Sequence, residues 1–240
     1  MAGGVCYFLW NRDDSGSCEV INIVNGEQYA STRSLNEFDI FIRNGRAVSI
    51  INKVKSQNEK MMNTQVTSRK PFGLPTNERP KSHGELILRW QNGEGPYPRN
   101  EITIGNKMID EWKVICAKTA YDHAGSPGKD GKRKVFTTIH ILPPKTICTE
   151  TYIVVGSFQT KEKAQNLKLY MMSSFFRFMV SQFLYSQDIT RERFAFVPIQ
   201  DFSESWTDEK LYKKYHLSKD EIAFIESMIR PMELTEGETI

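Results

Sequence analysis

The stretch from Thr160 to Pro198 is the feature that most constrains how this chain folds. Its apolar residues recur at steps of three to five, the spacing that places side chains on one face of a helix: Ala164, Leu167, Met171, Phe175, Phe178 and Phe183. The pattern predicts a long buried helix, capped by Thr160, that ends near Gln187. A short apolar strand from Phe194 to Val197 is expected next, because Pro198 continues neither a helix nor a central strand.

The charge of the chain is unevenly distributed. The 240 residues have a net charge of +3, but residues 201–240 carry 10 acidic and 5 basic side chains, a net charge of −5. The remaining residues therefore hold 27 basic and 19 acidic side chains, a net charge of +8. This asymmetry favours a polyanionic partner for the basic part, with an ordinary mixed, solvated surface as the alternative.

Several classes of protein are disfavoured by the composition. Arg177 interrupts the longest apolar run, so no segment is expected to cross a membrane. The cysteines are far apart and the histidines are scattered, which disfavours a zinc site and is typical of a reduced, cytoplasmic protein: Cys6, Cys18, Cys116, Cys148, His83, His123, His140 and His216.

The rest of the chain predicts an α+β fold, with mixed strands up to about residue 157 and a helical C-terminal segment. Gly4–Trp10 is expected to be a strand buried on both faces. Further strands are predicted at Glu19–Val24, Phe38–Ile42, Glu85–Trp90, Trp112–Ala117, Val135–Leu142 and Cys148–Gly156. Helices are predicted at Arg46–Gln57 and Lys107–Trp112 and after the N-cap residues Thr207 and Ser218, with a turn at Gln91–Pro96.

Two basic loops are candidates for binding a phosphate backbone. The loop Thr67–Pro80 has two adjacent cations beside Phe72, and the loop Tyr121–Lys134 combines glycines with cations. Connecting or mobile surface loops are the alternative. The candidate contact residues are Arg69, Lys70, Lys118, Tyr121, His123, Lys129, Lys132, Arg133 and Lys134.

A third pattern suggests a different chemistry. Glu111-Trp112-Lys113 stands at the start of a predicted strand, next to Asp110 and ten residues after Glu101. Metal-dependent nucleases use an acid and a lysine in this spacing, with a second acid upstream, to hold Mg²⁺. A metal-dependent restriction-type nuclease is therefore one alternative function, and a protein-interaction module is another.

Several segments resemble TaqI-like, adenine-specific DNA methyltransferases of restriction–modification systems. Gly3–Arg12 resembles the last strand of their catalytic core, and other segments resemble their C-terminal part: Ser68–Leu74, Glu150–Phe158, Phe194–Pro198, Trp206–Glu209 and Ile229–Met232. In that family the C-terminal part is the target-recognition domain, which holds double-stranded DNA. The N-terminal part binds S-adenosylmethionine and flips the adenine toward an Asn-Pro-Pro-Tyr/Phe motif.

The resemblance implies a DNA-recognition module without the catalytic motifs. The sole Pro-Pro pair, Pro143-Pro144, follows Leu142 and precedes Lys145, so it does not match the catalytic motif. No catalytic residue and no cofactor are assigned to this chain, and a catalytic methyltransferase domain or subunit is the expected partner. Residues 1–30 are interpreted as end strands of that missing catalytic domain, 31–200 as the target-recognition domain, 201–232 as a C-terminal helical segment and 233–240 as a disordered acidic tail.

Overall fold

The computed structural model describes residues 6–24, 26–122, 127–128 and 130–232 and has an α+β fold. The strands in these residues are β1 Cys18–Val24, β2 Glu27–Arg33, β3 Leu86–Trp90, β4 Gly93–Tyr97, β5 Trp112–Ala117, β6 Ile139–Leu142, β7 Thr146–Cys148 and β8 Tyr152–Phe158. The helices in the same residues are α1 Arg46–Lys55, α2 Asn106–Ile109, α3 Lys161–Met172, α4 Ser174–Gln182, α5 Asp208–Lys214 and α6 Lys219–Met228. No helix within these residues is both long and apolar enough to cross a membrane.

The central sheet has the strand order β6-β5-β8, and all its strands are antiparallel. Both faces of β5 are covered, since its four central residues Lys113–Cys116 are all buried. Val114 and Cys116 point into the larger core, which the helices α3 and α4 complete, and Ile115 points into a smaller core shared with β3 and β7. The sheet is therefore a buried layer, and only its ends are free to present loops.

The predicted long helix is broken in two. Ser173 has an extended backbone, with ψ of 150°, and serves both as the C-cap of α3 and as the N-cap of α4. The carboxylate of Asp208 accepts hydrogen bonds from the backbone N–H groups of Ser174 and Phe175 at 2.9 and 2.8 Å. This distant acid stabilises a helix start where the apolar pattern alone predicts continuity, and α4 ends at Gln182 rather than near Gln187.

The predicted strand over Gly4–Trp10 is wrong for its described part. Residues 6–10 form no regular structure, and the side chains of Tyr7, Phe8, Leu9 and Trp10 are 72–98% exposed. An apolar run becomes a strand only where another strand pairs with it, and no described strand does so here. The hairpin β1–β2 follows this run, and its strands pair only with each other.

Other predictions failed for the same reason. Phe38, Ile40 and Ile42 do turn inward, but no strand among the described residues pairs with this segment, and it remains irregular. Residues 135–138 and 194–197 likewise form no strand. The turn predicted at Gln91–Pro96 is wrong for most of its length, because β4 begins at Gly93 and pairs with β3. The single strand predicted over Cys148–Gly156 divides into β7 and β8. The predicted strands at β1, β3 and β5 and the helices α1, α5 and α6 are confirmed.

Candidate nucleic-acid interface

One end of the central sheet gathers most of the predicted contact residues. Strand β5 ends at Ala117, while the antiparallel strands β6 and β8 begin at Ile139 and Tyr152, so the three segments outside them emerge together. The backbone N–H of Ala117 donates to Thr138 O at 3.3 Å, and that of Lys118 donates to Thr151 O at 2.8 Å. Because neighbouring strands lie about 4.8 Å apart, loops separated by many residues in sequence become neighbours here.

Three predicted cations converge on Glu150 at this end. Arg69 Nε donates to Glu150 Oε1 at 2.7 Å, Lys118 Nζ lies 3.6 Å from the same oxygen, and Lys70 Nζ lies 4.0 Å from Oε2. The glutamate side chain is 7% exposed, whereas those of Arg69 and Lys70 are 67% and 48% exposed. We call these four residues the Glu150 cluster. One carboxylate balances only one of the three cations, so the cluster presents a net positive charge to solvent.

Opposing effects determine the charge state of Glu150. Burial acts to raise its pKa, but the hydrogen bond from Arg69 and the charges of Arg69, Lys118 and Lys70 outweigh burial, and the pKa is lowered. The carboxylate is therefore ionised at neutral pH and holds the cations in place. Lys70 is also positioned by its backbone, because its φ of 56° is left-handed and its carbonyl accepts from Gly73 N at 2.9 Å.

The two ends of the second basic loop contact each other. Lys134 Nζ lies over the ring of Tyr121, 4.8 Å from its centroid, and Tyr121 is 46% exposed. The carboxylate of buried Asp122 accepts from the backbone N–H groups of Lys134 and Val135 at 3.3 and 2.7 Å. These bonds hold Val135 at a φ of 72°, which β-branched residues rarely adopt. The hydrogen bonds to Asp122 therefore hold the main chain of Lys134 and Val135 in place.

Two predicted contact residues serve the protein's own structure. Arg133 is mostly covered, its Nη1 is 3.5 Å from Ser181 O, and burial lowers its pKa. Its backbone N–H and C=O bond to Met228 and Arg230, which ties the loop to the end of α6. Lys132 Nζ donates to Glu226 O at 3.0 Å. The structure therefore does not favour the predicted phosphate contact of Arg133. The other two candidates, His123 and Lys129, lie outside the described residues, as does the predicted acidic tail.

A cleft of about 450 Å³ opens at the same end of the sheet. It lies between the segment before β6, the C-terminal half of α3 and the segment after α6. The residues that line it are Lys134, Thr137, Thr138, Ile139, His140, Lys168, Met172, Arg230, Pro231 and Met232. Four of these ten have basic side chains and none is acidic, so the cleft is suited to an anion.

Four residues of the cluster and the cleft were not among the candidates chosen from the sequence: Glu150, Lys168, His140 and Arg230. Lys168 carried a readable signal, because it stands four residues after Ala164 and three before Met171, inside the apolar stripe of α3. It is 9% exposed in the structure. Glu150 carried no such signal, since its partners Arg69 and Lys118 are 81 and 32 residues away and only the fold brings them together.

The side chains around Glu111 do not assemble a metal site. Lys113 is fully buried, and its Nζ lies 2.7–3.2 Å from the carbonyl oxygens of Met108, Ile109, Glu111 and Pro143, which its three N–H groups share. Asp110 pairs with Arg99, and Glu111 Oε1 accepts from Gln159. Within the described residues, no group of three or more histidine, cysteine or acidic side chains is placed to hold a metal ion. The structure thus gives the nuclease hypothesis no support.

Lys113 leads to a prediction about alkaline stability. Burial lowers its pKa from 10.5 to about 8, so between these values the unfolded chain binds a proton that the folded chain does not. The contribution of Lys113 to the unfolding free energy therefore increases from pH 8 to pH 10.5, by about 3 kcal/mol. Urea unfolding across this range should show the increase as a difference between the wild type and Lys113→Met.

The comparison with Lys113→Met is needed because two buried thiols make the unfolding free energy decrease as the pH rises. Burial raises the pKa of Cys116 and Cys148, so the unfolded chain loses thiol protons first and stability falls with pH. Both proteins keep these thiols, and the difference between them isolates Lys113. A difference that stays constant from pH 8 to pH 10.5 would contradict the prediction.

Comparisons with known proteins found no relative of this chain. Protein-family models, curated proteins and solved structures were compared with the chain, and none of them matches it.

Proposed function

We propose that this chain is a sequence-specific, double-stranded DNA recognition module that acts together with a catalytic adenine-N6 DNA methyltransferase domain or subunit in the cytoplasm. The observation that carries the proposal is the Glu150 cluster, in which three cations share one buried carboxylate. An excess of exposed cations on a rigid sheet end is suited to phosphate contacts, which position a protein on a duplex.

The loops around the cluster supply groups suited to reading bases. Tyr121 is 46% exposed and carries a hydroxyl that both donates and accepts hydrogen bonds. Phosphate contacts alone give no sequence preference, so recognition requires such groups to reach base edges in a groove. The resemblance of Glu150–Phe158 and Ser68–Leu74 to the target-recognition part of TaqI-like methyltransferases favours the same role.

The segment from Tyr7 to Phe41 supports the existence of a protein partner. Of 13 exposed large apolar or aromatic side chains in the described residues, nine lie between Tyr7 and Phe41. Ile21 and Ile23 occupy the open face of the hairpin β1–β2, and Leu9 is 98% exposed. A two-stranded hairpin is only marginally stable alone, and so large an apolar surface is typical of an interface. In the proposal this surface packs against the catalytic domain, which binds S-adenosylmethionine.

Selection from a pool of random duplexes tests the proposed function. The chain, alone and at low salt, is expected to retain duplex DNA and to enrich a recurrent short sequence over successive rounds. Retention without enrichment would mean sequence-independent binding and would contradict the recognition role. No retention at low salt, together with salt-independent binding to a protein, would favour the interaction-module alternative.

A further inference from the structure

The basic cleft contains an arrangement that DNA backbone binding at the Glu150 cluster does not use. Lys134 comes from the loop before β6, Lys168 from α3 and Arg230 from the segment after α6. Three separate elements thus contribute basic residues to the lining of one concave space. No acidic side chain is among the described residues that line it.

Two of the three cations, Arg230 and Lys134, are held by residues that do not line the cleft. Arg230 Nε bonds to Asp130 Oδ2 at 2.9 Å, which occupies one of its five donor positions. The backbone carbonyl of Arg230 accepts from buried Arg177 Nη1 at 2.6 Å, so the main chain at this position is also fixed. The ring of Tyr121 contacts Lys134. These contacts reduce the conformational freedom that an anion would otherwise have to remove on binding.

The shape and the remaining lining indicate more than a bare ion. A volume of about 450 Å³ lies within the range of pockets that hold small organic ligands. Thr137 and Thr138 offer hydroxyl groups, while Ile139, Met172 and Met232 offer an apolar wall. A ligand suited to this lining has an anionic end and a flat or apolar body.

We propose that the cleft binds a phosphate group attached to a nucleoside. Lys134, Lys168 and Arg230 contact the phosphate oxygens through charge-assisted hydrogen bonds, and the apolar wall contacts the sugar and base. The phosphate belongs either to a DNA backbone or to a free nucleotide, which share this chemistry. The assignment goes beyond the proposed function, because DNA recognition at the Glu150 cluster does not require it.

Titration of ¹⁵N-labelled protein with deoxyadenosine 5′-monophosphate, followed by NMR, tests the proposal. We expect saturable shifts of the backbone amides of Thr137, Thr138 and Met232, and much weaker binding of deoxyadenosine, which lacks the phosphate. Lys168→Met keeps the apolar stem and removes the charge, so nucleotide affinity should fall about tenfold. Lys163→Met, on the exposed face of the same helix, should leave it unchanged. Lys134→Met provides the same test if Lys168→Met does not fold.

Competition identifies the source of the phosphate. Displacement of the nucleotide by a short duplex assigns the cleft to a DNA backbone, and undisturbed nucleotide binding assigns it to a free nucleotide. Equal affinities for nucleoside and nucleotide, or equal losses in Lys163→Met and Lys168→Met, would overturn the proposal. If duplex DNA binds through Arg69 and Lys70 while the cleft amides do not shift with any phosphate ligand, the cleft assignment fails and the DNA-recognition proposal stands.

Discussion

Replacement of Phe178 by alanine is expected to lower the free energy of unfolding by about 3 to 5 kcal/mol. Phe178 is fully buried in α4, and its ring packs edge-to-face on that of Phe224 in α6, with centroids 5.7 Å apart. Truncation removes the transfer free energy of the ring and leaves a cavity that two packed helices cannot close. Chemical unfolding monitored by circular dichroism measures the loss.

Two further variants test whether the loss of stability depends on burial of the ring. Phe183 is 9% exposed and its ring lies 5.5 Å from that of Phe196, so Phe183→Ala should cost a similar amount. Phe41 is 47% exposed, and Phe41→Ala is a control of the same chemistry that should cost less than about 1 kcal/mol. Losses below about 1 kcal/mol in both buried variants would show that α4 does not belong to the core.

The largest effect expected on binding concerns the Glu150 cluster. The double variant Arg69→Gln, Lys70→Gln should weaken binding of duplex DNA and flatten its dependence on salt. Each phosphate contact contributes a slope of about −0.9 to log K against log salt, so loss of two contacts should reduce the slope by about 1.8. Fluorescence anisotropy with a labelled duplex, measured over a range of salt concentrations, gives both quantities.

A second double variant separates direct contacts from net charge. Lys161 and Lys163 are exposed at the start of α3, which follows the far end of β8 and therefore lies at the opposite end of the central sheet. Lys161→Gln, Lys163→Gln removes the same charge and should leave the salt slope nearly unchanged. Equal slopes for the wild type and both double variants would rule out phosphate contacts by Arg69 and Lys70. Unfolding curves should be compared too, because the cluster variant leaves Glu150 with Lys118 as its one cationic partner in the cluster.

Features whose causes lie within a few residues could be predicted from the sequence. Thr160 Oγ1 accepts from Lys163 N, Thr207 Oγ1 accepts from Lys210 N, and Ser218 forms a capping box with Glu221. Each of these helices begins where its cap predicts, because cap and helix are joined by a bond spanning three residues. Strand β5 was also predictable, since Val114–Ala117 is a short apolar run of the length typical of a strand.

Features that depend on distant partners could not be predicted in this way. The helix break at Ser173 depends on Asp208. Tyr7–Trp10 are exposed, and no strand among the described residues pairs with them. Neither is visible in an apolar pattern, because periodicity reports which residues avoid water and not which element covers them.

The candidate site shows the same division. From the sequence alone, Arg69, Lys70, Lys118, Tyr121 and Lys134 are candidate contact residues, and four of them stand in two loops rich in cations. Only the tertiary structure shows that three of them contact Glu150 and that Lys168 and Arg230 line one cleft with Lys134. It also shows that the side chain of Arg133 points inward, toward Ser181. The reason is physical: the antiparallel pairing of β5 with β6 and β8 brings loops from different parts of the chain to one end of the sheet, and the burial of each charge depends on what is packed around it there.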